Sequence, residues 1–303
     1  MNIASVRASY HASPLRYPGG KAKLAAYFKA LVRNNHLLDG TYVEPFAGGG
    51  GVGLSLLLHG YVERIILNDL SAPIYAFWRA VLDYPERFQE RILDVKLSTK
   101  EWERQRRIFQ ESAGNLNFDV GFATFFLNRT NRSGVLNGGM IGGHAQNSSY
   151  GLNARFNRQE LAARIKRISR TSSRITLLNL DAAELIANSR KISGDPKPLI
   201  YIDPPYFRKG RDLYYDFFEP KDHVNLRDVV ARLDPEVRWV VSYDNEPEIV
   251  ALYKAYRTLE YNLNYSVRNG RIGREVMFFS GSVAPPALAE GGLHEPTASL
   301  QPN

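Results

Sequence analysis

The run Tyr201, Ile202, Asp203, Pro204, Pro205, Tyr206 carries the sharpest chemical signal in the chain. It closes a short apolar segment, and two consecutive prolines stop strand pairing and fix an extended backbone, so Asp203 and Tyr206 are held stiffly where a strand ends. A carboxylate and an aromatic ring on such a turn suit a planar base bearing an amino group: the acid accepts from the amine while the ring stacks on the face. The plainer alternative is a strand stop with a packing tyrosine. A second segment, Val43, Glu44, Pro45, Phe46, Ala47 and then Gly48 through Gly51, Val52 and Gly53, contains G-x-G-x-x-G at Gly48, Gly50 and Gly53. Between a strand and a helix this pattern gives a tight turn, close backbone approach to a ligand and a helix starting beside it, although a glycine turn can also serve packing alone. Further on, Asp69 ends the next apolar segment, where an acid can accept from both hydroxyls of a ribose. The two features together point to a nucleoside-containing cofactor. A P-loop is excluded, because the glycines lack the Gly-Lys-Ser/Thr ending and Pro18, Gly19, Gly20, Lys21 is followed by Ala22. Lys21 by itself reads as a first-turn surface lysine or as a point charge for a carboxylate.

Elements must place these residues. Apolar runs at 42–46, 64–68, 175–179, 199–202, 239–242 and 275–279 read as strands, and 52–59, 181–188, 223–233 and 247–256 have helical length and spacing. Alternating strand and helix predicts an α/β fold, a mostly parallel sheet with helices on both faces, whose ligands bind at the carboxyl edge. Two stretches break the rhythm. Residues 71–126 read as consecutive helices, and 128–156 is rich in Gly, Asn and Ser. A loop that long inside a compact domain is uncommon and usually functional or disordered. The expected organisation is therefore a discontinuous catalytic domain, 1–70 and 171–282, with 71–170 as an inserted lobe. The tail 283–303, with Pro285, Pro286, Gly291, Gly292, Pro296 and Pro302, is expected to be disordered.

Charge separates the lobe from the rest. The chain has 39 Lys and Arg against 31 Asp and Glu, a formal net charge of +8. Between Arg129 and Arg174 lie Arg129, Arg132, Arg155, Arg158, Arg164, Lys166, Arg167, Arg170 and Arg174 against one acid, Glu160, a surplus equal to that of the whole chain. Such asymmetry fits a polyanionic partner, and equally a solvated helix face. With 44% hydrophobic and 23% charged residues the chain is neither fibrous nor wholly disordered. Zero cysteines exclude disulfides, thiolate nucleophiles and sulfur-ligated zinc. His11, His36, His59, His144, His223 and His294 have no metal-ligand spacing, so no metal is expected. No apolar run approaches a membrane span, and 1–13 offers no signal-peptide core, which predicts a cytoplasmic location.

Taken in order, RYPGGK (Arg16 to Lys21), VEPFAGGGGVG (Val43 to Gly53), Asn68 with Asp69, FLNRTNRSG (Phe126 to Gly134) and DPPY (Asp203 to Tyr206) resemble the Dam family, alpha-group adenine-specific DNA methyltransferases that use S-adenosylmethionine. The resemblance covers about Pro14 to Phe279 and implies a Rossmann-like methyltransferase fold with an inserted target-recognition region. It further implies that Tyr17 and Lys21 contact the methionine part of the cofactor, that Phe46, Gly48 and Gly50 lie along it, and that Asp69 binds the ribose. Asp181 would face the cofactor adenine. Asp203, Tyr206 and the Pro204 carbonyl would serve a target adenine flipped out of double-stranded DNA. In the basic region Arg129, Asn131 and Arg132, with Arg155 and Arg158, are candidate DNA contacts. Arg to guanine and Asn to adenine are the favoured major-groove pairings, but arginines can also hold phosphates alone. The segment 137–157 departs from family members that read GATC, so that site is not carried over. A restriction endonuclease is a possible partner, and no oligomer is implied. The alternatives are methylation of another amino group, on cytosine, RNA or a protein glutamine, and a DNA-binding protein of this fold without catalysis. Asp203 argues against the first, since the cytosine enzymes usually carry Ser and the protein-directed ones Asn before Pro-Pro-Tyr.

Overall fold

Strands that are covered on both faces read as near-continuous apolar runs, and Leu199–Ile202, LIYI, is buried throughout. In the computed structural model, which describes residues 12–16, 21–112, 114–208, 218–264 and 272–294, seven strands form one sheet: β1 (Thr41–Glu44), β2 (Arg64–Asn68), β3 (Ile175–Leu178), β4 (Leu199–Ile202), β5 (Arg238–Asp244), β6 (Arg257–Asn264) and β7 (Ile272–Phe279). Their order is β3-β2-β1-β4-β5-β7-β6. The strands β1 to β5 pair in parallel, and β7 runs antiparallel between β5 and β6. This is a Rossmann-like α/β sheet. Strand order reverses between β1 and β4, and the crevice outside their carboxyl ends is where such sheets bind ligands. Glu44 to Gly53 leaves β1 at that point, and Asp203 leaves β4 beside it.

Because side chains alternate across a strand, neighbours such as Tyr42 and Val43 enter different cores. On one face Val43, Ile66, Ile200, Val241 and Phe278 meet helices α8 (Ala182–Ala187), α10 (Pro220–Ala231) and α11 (Pro247–Leu252) through Leu185, Leu226 and Ile249. On the other, Tyr42, Leu67, Tyr201, Val240 and Met277 share a cluster with α1 (Ala25–Asn34) and α2 (Gly51–Leu58). That second core continues into the insertion, whose helices are α3 (Ala72–Asp83), α4 (Pro85–Asp94), α5 (Thr99–Gln110), α6 (Phe118–Thr130) and α7 (Arg158–Ser169). Ser98, Asn117 and Asn157 start α5, α6 and α7 by accepting from the backbone N–H three residues on. Helix α6 is buried on nearly every side, with Phe122 and Phe125 packed against Phe88 of α4. The short helix α9 (Ser189–Ser193) leads toward β4.

Four elements escape the sequence pattern, the helices α1, α7 and α9 and the antiparallel β6. The long segment between α6 and α7 holds only short 3-10 turns, as the Gly, Asn and Ser content predicts. The expected disorder from Val283 onward is corrected over 283–294. Val283, Leu288 and Leu293 are buried, Tyr27 donates to Pro286 O, Asn35 pairs with Ala284, and Asn262 bridges His294. A small apolar contribution and a few hydrogen bonds to α1 suffice where the tail lies on a preformed surface. Residues 295–303 lie outside the described part.

Gly121 brings α6 onto α3, for a Cβ there would lie 2.4 Å from Ala76 O and 2.8 Å from Ala80 Cβ. Gly121→Ala should therefore cost about 1–3 kcal/mol through overpacking; an unchanged denaturant midpoint would show that the two helices separate freely.

Candidate active site

The 3-10 turn Lys21–Leu24 begins with a lysine whose side chain is 11% exposed and faces carboxylates, the second of the two readings its position allowed. Lys21 Nζ lies 3.1 Å from Asp203 Oδ1 and 2.8 Å from Glu275 Oε2. Ser242, on β5, donates to the same Asp203 oxygen at 2.7 Å and exchanges a 2.8 Å hydrogen bond with the Tyr201 hydroxyl. The ring of Tyr206 stands 5.6 Å from the ammonium, in cation–π range. Burial alone would depress the Lys21 pKa, but Asp203 and Glu275 outweigh it and hold the ammonium charged well above the ordinary lysine range. Burial pushes the Glu275 carboxyl up to about 7, against the pull of Lys21. Glu44, also buried, is raised well above the usual carboxylate range, first by desolvation and then by Asp203. Its Oε2 has no hydrogen-bond partner among the described residues. The edge thus concentrates carboxylates around one buried ammonium.

Beside it the glycine turn is built for backbone approach. Gly48 and Gly50 take φ of 46° and 57°, which L side chains rarely adopt, and a Cβ on Gly50 would press on Trp78 at 3.2 Å. Asp69, 9% exposed, fixes this turn: Oδ2 accepts from Gly48 N at 2.7 Å and Oδ1 from Ser71 N at 3.0 Å. Asn68 ties three strand ends together, donating to Pro45 O and Leu180 O and accepting from Leu180 N. Phe46 packs edge-on to Phe218 at 5.6 Å. Asp181 caps α8, its Oδ1 accepting from Ala183 N and Glu184 N. The structure thus gathers Lys21, Phe46, Gly48, Gly50, Asp69, Asp203, Pro204 and Tyr206 at one edge, while Tyr17 lies outside the described residues.

The basic region divides in two. Asn131 is 0% exposed, accepts from Trp102 Nε1 at 2.7 Å and donates to Val135 O and Leu136 O, so it holds the loop and does not read a base. Arg129 donates to Arg155 O, and burial, with Arg164 and Arg16 nearby, brings its pKa down to about 9. Arg158 clamps the carbonyls of Ile92, Leu93 and Val95 at the end of α4. The expectation that Asn131 contacts DNA is thereby corrected, while Arg129 and Arg158 are half-buried with guanidinium groups bonded to backbone carbonyls. Arg132 and Arg155 are exposed, as are Lys166, Arg167 and Arg170.

Ser242, Glu275 and Asn128 are the site residues that motif reading missed. The available signal was a polar residue within an otherwise apolar strand, SYD after WVV and E before VMFF. Asn128 accepts from Arg16 N at 2.7 Å and donates to Arg16 O at 2.6 Å and Gly134 O at 2.9 Å, joining the segment before Lys21 to the loop that follows α6. Among the described residues no three His, Asp or Glu side chains gather as metal ligands, and no helix is long and apolar enough to cross a membrane.

Comparison with known proteins gives the family. Residues 17–267 match the family described as D12 class N6 adenine-specific DNA methyltransferase. The type II methyltransferase M.CviBI of Paramecium bursaria Chlorella virus NC1A is 22% identical over 264 residues, covering 86% of this chain and 95% of that protein. Among solved structures, the rRNA methyltransferase aviRa from Streptomyces viridochromogenes superimposes with a TM-score of 0.37 at 16% identity, covering 90% of each chain. The chain belongs to the D12 class of N6 adenine-specific DNA methyltransferases, and its reaction is methylation of the exocyclic amino group of adenine in DNA.

Behind the Asp203 turn, His223 is fully buried against Phe207 and Phe218, with Nδ1 2.9 Å from the Tyr243 hydroxyl. Burial lowers its pKa from 6.5 to about 4. The unfolded chain therefore binds the extra proton first: the stability contribution is complete above about pH 6.5 and lost as pH falls toward 4, about 3 kcal/mol in all. Urea midpoints from pH 7 to pH 4 should fall less steeply in His223→Asn; parallel curves would remove His223 as the cause.

Proposed function

We propose that S-adenosylmethionine is the methyl donor, held along the carboxyl edge of β1 and β2, and that Asp203, the Pro204 carbonyl and Tyr206 receive the target adenine. What supports the cofactor is the fit of the residues present. The positive-φ glycine turn leaves room for a ligand against backbone, and Asp69, which fixes that turn through Gly48 N and Ser71 N, is an acceptor placed at the end of β2 where a ribose would lie. The unpartnered oxygen of Glu44 and the surplus of carboxylates over Lys21 suit a cationic group. The sulfonium of the donor, when bound, supplies an activated methyl group. Phe46 and Asp181 would line the site at its two ends, and Lys21 would stand at the methionine end.

The residues of the chain address the weakness of the substrate. An adenine amino group is a poor nucleophile because its lone pair is delocalised into the ring. Lys21 and Ser242 both occupy Oδ1 of Asp203, which leaves Oδ2 to accept an amine N–H. With the Pro204 carbonyl as second acceptor, the nitrogen becomes more tetrahedral and its lone pair localises, and the same acceptors stabilise the positive charge that develops on it. Direct attack needs no covalent enzyme intermediate, in keeping with a chain that has no cysteine. An amino group inside a duplex is out of reach, so the base is flipped, and Tyr206 replaces its lost stacking. Since Tyr206 is only 6% exposed, its ring must be uncovered as the base enters.

We assign residues 71–170 to target recognition and 1–70 with 171–282 to catalysis. Support comes from the exposed basic set, Arg132, Arg155, Lys166, Arg167 and Arg170, which lies on the insertion. These side chains would engage phosphates and base edges.

The observation that carries the reading is Asp203 fixed by Lys21 and Ser242 at the switch point. Asp203→Ala should cut transfer of labelled methyl to adenine by about 100-fold or more, as read by nucleoside mass spectrometry, while DNA binding stays near wild type; full activity in that variant would sink the mechanism. Arg132→Ala and Arg155→Ala should each lower the slope of log affinity against log salt by about one, and a slope that does not move would exclude the altered side chain as a phosphate contact.

A further inference from the structure

We propose that Glu275 is a positioning residue for methyl transfer, acting through Lys21 to keep Asp203 a strong acceptor for the target amine. The inference rests on the assignment of Asp203 given above. Glu275 stands on β7 in register with Asp244 of β5 and Tyr261 of β6, and it is 1% exposed. A carboxylate so placed is costly unless it is paired, and a strand position flanked by Val276, Met277 and Phe278 would be filled more cheaply by an apolar residue. Its Oε2 accepts from Lys21 Nζ at 2.8 Å, a shorter contact than the 3.1 Å from Lys21 to Asp203. One ammonium is thus divided between two carboxylates.

The division has a chemical consequence. With Asp203 as its only anion, Lys21 would neutralise that carboxylate and weaken it as a hydrogen-bond acceptor. Glu275 draws part of the ammonium's field to itself, so the trio of Asp203, Lys21 and Glu275 keeps one net negative charge beside the amine that becomes positive. Glu275 touches neither substrate nor donor in this arrangement. The charged and titratable groups around it are Lys21, Asp203 and Asp244, with Tyr261 and Tyr206 facing Lys21. Because burial lifts the Glu275 carboxyl to about 7, it is ionised above that pH and takes a proton below it, returning Lys21 wholly to Asp203.

The test is the single-turnover rate of methyl transfer to DNA, from about pH 6 to about pH 8.5, in wild type, Glu275→Gln and Glu275→Asp. Wild type should rise with a midpoint near 7. Glu275→Gln, which preserves shape but not charge, should be about tenfold or more slower at high pH and should lose that rise, with the KM for DNA unchanged. Glu275→Asp, which keeps the charge, should be faster than Glu275→Gln. The opposite ranking, or a Gln variant with the wild-type rate and profile, overturns the proposal in favour of a packing role. Should Glu275→Gln fail to fold by circular dichroism, the wild-type profile decides, and a flat one is the overturning result. Full transfer by Asp203→Ala in the same assay would instead remove the underlying assignment.

Discussion

The structure at the carboxyl edge depends on how negative charge is kept out of water. Glu44, Asp69, Asp203 and Glu275 converge where β1, β2, β4 and β7 bring them, and Lys21 is the largely buried cation among them. Ionised groups removed from solvent are stable only when paired or hydrogen bonded. Asp69 satisfies this with backbone N–H groups, Asp203 with Lys21 and Ser242, and Glu275 with Lys21. Glu44, with an oxygen left unpartnered, is held toward its neutral form. The four acids thus differ in how they are satisfied because their partners differ, which in the proposed reading lets one edge attract a cationic donor and activate an amine.

The same edge shows why the sheet needs its antiparallel strand. A purely parallel arrangement would supply groups only from turns that follow strands. With β7 entering from the other direction, a residue near the beginning of a strand, Glu275, arrives beside Asp203, which follows the end of β4. The fold thereby places two carboxylates on one lysine from opposite chain directions.

Legibility in the sequence followed local chemistry. The glycine turn, Asp69 and the Asp-Pro-Pro-Tyr run could be read because turn residues and proline act on their immediate neighbours, and the parallel strands because double burial leaves apolar runs. Partnership across the chain could not be read. Lys21 has the sequence context of a surface residue, and only tertiary packing buries it. Asn131 and Arg158 have the composition of DNA contacts, yet each is turned inward to satisfy carbonyls of a loop and a helix end. The residues of 283–294 look like a solvated tail until α1 is present to receive them. Except for Asn131, whose loop carbonyls lie four and five residues on, the deciding partner is distant in sequence.

That distance has a consequence for biosynthesis. Lys21 and Glu275 are 254 positions apart, so the buried ammonium emerges from the ribosome long before its second carboxylate. At about 5–20 residues per second the gap is roughly 10–50 s. During that interval the nascent chain holds a lysine without its full counter-charge. Contacts of such span also slow folding, because loop closure must precede them. A chain truncated before β7 therefore lacks the second carboxylate that Lys21 meets in the folded protein.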